Sequence, residues 1–62
     1  MPLVHVNILK GRTKEAKAGF AKAVTDAAVA HLGVTTEQVR VLIHEIEPDS
    51  WFTAGKAKGA PA

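Results

Sequence analysis

PLVHVNIL, residues 2–9, and VRVLIHEI, residues 39–46, decide the fold. Both alternate with a period of two and are rich in β-branched residues, the signature of strands. In the first, Val4, Val6 and Ile8 share one face, and Leu3, His5, Asn7 and Leu9 share the other. In the second, Val39, Val41 and Ile43 share a face against Arg40, Leu42, His44 and Ile46. Lys10 and Gly11 break the first run; Pro48 and Asp49 end the second.

The stretch between them carries a helical period over residues 14–32. Thr13 fits its N-cap, Glu15 suits the positive end of the helix dipole, and Gly33 suits the position just past the end. Ala16, Phe20, Ala23, Val24, Ala27 and Ala30 form the expected packing stripe. It is mostly alanine, so it allows close approach but brings little apolar volume. Gly19 inside the helix costs roughly 1 kcal/mol relative to Ala. Residues 35–38 read as a short turn, and the tail over 49–62 as a small hairpin or a loose end.

Strand, helix and strand in this order predict an α/β fold. A single β-α-β unit, residues 1–62, has parallel strands joined by a right-handed crossover. One helix covers only one face of the sheet. Leu3, Leu9, Leu42 and Ile46 fall on the other face, wet in a monomer, so the expected partner is the chain itself, as a homo-oligomer. The length of 62 residues makes the same point. A core this small rarely supplies more than about 3–5 kcal/mol. The chain has no cysteine, which removes disulfides and thiolate metal sites as staples.

Composition excludes several classes. A hydrophobic share of 47% is too high for a disordered chain. No run approaches the roughly 20 apolar residues of a membrane span, so no membrane partner is expected. The net charge is +2, with Lys and Arg scattered between Lys10 and Lys58 and no interleaved aromatics, so no nucleic acid is expected either. MPLVHVNILK lacks the basic start and cleavage site of a secretion signal, and the expected location is the cytoplasm.

Few side chains suit catalysis. There is no Tyr, and the only serine, Ser50, lacks a nucleophile-elbow context. His5, His31 and His44 are too dispersed for a local metal motif, although His5 and His44 lie on adjacent strands. His31 fits the helix C-terminus, and Glu45 and Glu47 read as solvated carboxylates.

Pro2 stands apart. Once Met1 is removed, it leaves a secondary amine at the start of a strand. An α-amine titrates near 7.7–8.0 in peptides, and apolar surroundings or nearby cations favour its neutral form. A neutral amine near pH 7 is a competent general base. Arg12, in the loop before the helix, and Arg40, at the start of the second strand, suit bidentate carboxylate contacts. Parallel strands start at one end of the sheet, so Arg40 and Pro2 lie together. Arg12 lies past the other end, roughly 23 Å away along a seven-residue strand. It can reach only the Pro2 of a neighbour.

Pro2 after the initiator Met, LVHVNILKGR with Gly11-Arg12, the capped helix, VRVLIHE with Arg40 and the later aromatic Trp51 together resemble the 4-oxalocrotonate tautomerase family. The resemblance covers nearly the whole chain. It implies β-α-β subunits paired into dimers with a four-stranded sheet, commonly a trimer of dimers. It implies a keto–enol tautomerase of 2-hydroxymuconate-like dienols or unsaturated 2-oxo acids, in aromatic degradation, with no metal or organic cofactor. By this resemblance Pro2 is the general base, and a neighbour's Arg12 holds the distal carboxylate. Arg40 steadies the carboxylate and keto oxygen at the reacting end. Trp51, Leu3 and Leu9 line the pocket. Trp51 stands where many members have Phe, and Phe52 follows where glycine is common. Thr53 and Leu9 replace the extra acid and Arg of dehalogenase relatives, which argues against haloacrylate hydration. Two alternatives remain: a promiscuous tautomerase of monoacids such as phenylenolpyruvate, or a non-catalytic oligomer if Met1 is retained.

Overall fold

The computed structural model describes residues 2–59. Strand β1 spans Leu3–Leu9, helix α1 Lys14–Leu32, strand β2 Arg40–Ile46, and a small hairpin pairs β3, Phe52–Thr53, with β4, Lys56–Ala57. Short 3-10 turns at Thr36–Gln38 and Pro48–Ser50 lead into β2 and the hairpin. The strands start one residue later than expected. Pro2 has no N–H for the ladder, and Val39 is still closing the 3-10 turn through its N–H to the Thr36 carbonyl at 3.2 Å.

β1 and β2 pair in parallel, from Leu3 opposite Arg40 to Leu9 opposite Ile46. The ladder is extended at both ends. The Arg40 N–H donates to the Pro2 carbonyl at 3.0 Å, and the Lys10 N–H to the Ile46 carbonyl at 2.9 Å. The β3–β4 hairpin is antiparallel and turns through Ala54 and Gly55, both with positive φ. Of the two readings of the tail, the hairpin is the one seen, over Phe52–Ala57; residues 60–62 lie outside the described residues, as does Met1.

The helix starts as its sequence dictates. Thr13 accepts the Ala16 N–H on its hydroxyl at 3.0 Å. It ends on Gly33, left-handed at φ 69°, whose N–H reaches the Val29 carbonyl at 3.2 Å.

The face it buries differs from the expected one. Lys17, Ala21, Val24, Thr25, Ala28 and Val29 are shielded, whereas Ala16, Phe20, Ala23, Ala27 and Ala30 are exposed. Alanine is spread around the helix, so two neighbouring stripes satisfy the same period. The sheet chooses between them partly through charge. The Lys17 ammonium sits 3.2 Å from Glu45, which points to the helix side of the sheet. Glu45 is thus a half-buried ion-pair partner, a correction to its reading as a solvated carboxylate.

Little of this chain is dry. Among the described residues only Ala28 and Val39 are buried, each at 8% exposure. Leu3 and Leu42 on the open sheet face remain 62% and 50% exposed. Leu9 and Ile46, expected to be wet there, are half-buried instead. The accessible surface is 4815 Å², against about 3,800 Å² for a typical monomer of this mass. The radius of gyration is 14.6 Å, against about 11 Å for a compact chain of this length. The excess of about 1,000 Å² matches one side of a standard protein interface.

Candidate active site

The parallel register sorts the candidate residues into two groups. Pro2, Leu3 and Arg40 gather where both strands begin. Leu9 ends β1, Arg12 follows it, and Trp51 follows the far end of β2. One chain therefore brings Pro2 to Arg40 but does not bring Arg12 to either.

Arg40 is the best-defined member. Its backbone is tied to Pro2 through the ladder bond. Its guanidinium folds back onto the preceding turn, where Nη1 donates to the Glu37 carbonyl at 2.6 Å and to the Val39 carbonyl at 3.3 Å. Both contacts fall on one nitrogen and neither partner is a carboxylate. The charge is unneutralised, and Nε–H and Nη2–H have no protein acceptor among the described residues. A guanidinium in this state is suited to a planar carboxylate or an enolate oxygen.

At the other end, Arg12 and Lys17 border an open recess of about 250 Å³ floored by Ile8, Ala16, Phe20 and Ile43. Lys17 is engaged with Glu45. Arg12 makes no ion pair or side-chain hydrogen bond among the described residues. An apolar floor under an unpaired guanidinium suits an anion with an apolar body. Periodicity does not reveal this recess: it places Ala16 and Phe20 on the helix's packing stripe, and Ile8 and Ile43 on strand faces, with nothing to mark the space between them. Trp51 is half-buried in the turn before the hairpin, its carbonyl accepting the Lys58 N–H at 2.7 Å, while Phe52 is 63% exposed. His5 and His44 do meet, on the open sheet face, with ring centroids 6.3 Å apart. Among the described residues no group of three or more His, Asp or Glu side chains forms a metal-binding cluster, and no helix is long and apolar enough to cross a membrane.

The family model for tautomerase enzymes matches residues 2–60, both ends of the sheet included. The chain belongs to the tautomerase family. This tautomerase is 48% identical over 60 residues to a probable tautomerase of Ralstonia nicotianae, covering 97% of its own length and 86% of that protein. It is 39% identical over 56 residues to a 2-hydroxymuconate tautomerase of Bacillus subtilis, with 90% of each chain covered. Its fold superposes with a TM-score of 0.89 on a heterohexameric 4-oxalocrotonate tautomerase from Chloroflexus aurantiacus, at 36% identity over 94% of each chain. The tautomerase is accordingly an isomerase with a β-α-β subunit.

Proposed function

We propose that this tautomerase interconverts dienol and unsaturated 2-oxo forms of small carboxylic acids, with 2-hydroxymuconate-like diacids as the primary substrate class. The observation that carries the reading is the pairing of Pro2 with Arg40 at the shared start of the strands. With Met1 removed, Pro2 offers a secondary amine at the end of the sheet that also carries the unneutralised Arg40, a cation that disfavours protonation of an amine near it. The amine takes the enol proton and becomes an ammonium. The negative charge left on the substrate spreads to a dienolate, and Arg40 stabilises its oxygen end. The ammonium returns the same proton to the substrate carbon. The proton transfer needs no redox cofactor, because no electrons leave the substrate.

Arg12 enters from a neighbouring subunit, holding the distal carboxylate. This requires a homo-oligomer, which the excess surface and the open sheet face both favour. Dimers assembled into a hexamer fit a fold shared with a hexameric relative. Leu3 supplies an apolar wall beside Pro2, and Leu9 and Trp51, which lie at the Arg12 end of the sheet, enter with Arg12 from a neighbouring subunit. Breakdown of aromatic compounds in the cytoplasm is the setting that a 2-hydroxymuconate substrate suits.

Ketonisation of 2-hydroxymuconate, followed by ultraviolet absorbance with the Met-free protein, tests this. Pro2→Ala is expected to lower kcat by about 10²-fold, the scale of a general base; unchanged turnover overturns the amine-base reading. Arg40→Ala is expected to lower kcat by about 10²-fold or more. Arg12→Ala is expected chiefly to raise KM for diacids.

The apolar recess beside Arg12 favours a second reading, in which monoacids with an aryl body such as phenylenolpyruvate are preferred. A higher kcat/KM for phenylenolpyruvate than for 2-hydroxymuconate selects it; a strong diacid preference removes it.

A further inference from the structure

The turn that precedes β2 does more than connect. Thr36–Gln38 makes a single 3-10 turn, and such a turn leaves its last carbonyls without internal partners. The Thr36 carbonyl is satisfied by the Val39 N–H at 3.2 Å. The next carbonyl, that of Glu37, is free to accept, and Arg40 Nη1 donates to it at 2.6 Å. This is the shortest hydrogen bond made by any side chain among the described residues, and it fixes where the guanidinium points. The turn is itself locked at three places. The Gln38 side-chain oxygen Oε1 accepts the Thr35 N–H at 2.9 Å, and the Gln38 N–H donates to the Thr35 carbonyl at 3.1 Å. Val39, buried at 8% exposure, pins the end of the turn in the core. The chain of contacts runs from Gln38 to the turn, from the turn to the Glu37 carbonyl, and from there to Arg40.

We infer that Gln38 is a positioning residue for catalysis: its side chain closes the turn whose Glu37 carbonyl aims Arg40 at the reacting end of the substrate. The inference rests on the proposed role of Arg40. Gln38 touches no substrate. Its loss lets the turn open, so the Glu37 carbonyl drifts and the guanidinium swings. A misplacement approaching an ångström at an oxyanion contact costs up to about 10²-fold in rate, and a partial one about tenfold. Because the bond is aimed at transition-state charge, the loss belongs in kcat.

The test compares Gln38→Met, which keeps the length of the side chain and removes the acceptor, with Gln38→Glu, which restores an acceptor oxygen. Both are made in the wild-type and the Arg40→Ala backgrounds, with circular dichroism and sedimentation as controls of fold and assembly. Gln38→Met is expected to lower kcat about tenfold with KM within about twofold of wild type. Gln38→Glu is expected to recover most of that loss. In the Arg40→Ala background, Gln38→Met is expected to cause no further loss, since the two residues act as one unit. An unchanged kcat in Gln38→Met, a failure of Gln38→Glu to recover, or an equal loss without Arg40 overturns the inference. A wild-type protein inactive on both 2-hydroxymuconate and phenylenolpyruvate overturns the proposed function itself, and this inference with it. If Gln38→Met fails to fold, recovery by Gln38→Glu and the Arg40 double variant built on Gln38→Glu still decide, since an acceptor that restores fold but not turnover is also a refutation.

Discussion

Gly33 holds a left-handed conformation that a side chain resists. No atom stands within 4 Å of where a Cβ would sit, so the penalty for replacing it is purely conformational. Gly33→Ala is expected to cost about 1 kcal/mol in denaturant unfolding, with a normal far-ultraviolet spectrum. Lys10 offers a pH test at the same scale. A hydrogen bond to Glu47 at 3.0 Å, and then the charge of Glu47, raise its ammonium above the ordinary 10.5. A pKa raised by folding stabilises the protein below the unfolded value and loses that contribution as pH rises through the folded one. The difference in melting temperature between wild type and Lys10→Met is therefore expected to be small near neutrality, to start falling as pH rises past about 10.5 and to vanish above the raised folded value, and to shrink in salt because the pair is exposed. Residue types of chemical interest were legible without coordinates: Pro2, Arg12 and Arg40 are rare nitrogen chemistry in a chain with no Cys or Tyr. Their separation followed too, since parallel pairing fixes which ends coincide. The hold of the Glu37 carbonyl on Arg40 was not legible, because a backbone acceptor has no residue signature. The Thr35-x-x-Gln38 spacing of a capping box was the one available sign of it.

At the scale of elements, the helix depends on its first turn. Thr13 supplies the only side-chain cap seen there, at 3.0 Å to the Ala16 N–H. Thr13→Ala is expected to lower stability by about 1 kcal/mol, read as a fall in melting temperature. The strands were readable because alternation of Val and Ile with polar residues has no competing interpretation. The face of the helix was not. Ala16, Ala23, Ala27 and Ala30 resemble Ala21 and Ala28 in everything but position, so periodicity alone could not tell the stripe that meets the sheet from the one beside it. Phe20 misled most, since its bulk suggests a core residue, yet it is 46% exposed and borders the recess beside Arg12. The Lys17–Glu45 pair, visible only once the chain is folded, marks the facing sides of both elements.

For the molecule as a whole, the surplus of surface sets the terms of stability. In the proposed homo-oligomer, a subunit with two buried residues among those described draws its stability from association, so the melting temperature is expected to rise with protein concentration. Leu42→Asp places a carboxylate in the open apolar face, at a position 50% exposed in the lone subunit. It is expected to shift sedimentation towards smaller species and to remove activity together with assembly, while circular dichroism of the remaining oligomer stays normal. If the substitution leaves both mass and activity intact, this face is not an assembly surface.

The register of the parallel strands also has a cost in time. Every ladder pair from Leu3 with Arg40 to Leu9 with Ile46 joins residues 37 positions apart. No part of the sheet can zip from a local turn, as a hairpin can. The crossover must be largely in place before the first strand contact is worth its loss of chain entropy. Folding should therefore nucleate on the capped helix with both strands still open, and changes at Thr13 should slow refolding as well as weaken the product. During that interval, newly made chains expose two β-rich edges to one another. Folding speed in the helix thus protects the protein against aggregation before any active site exists.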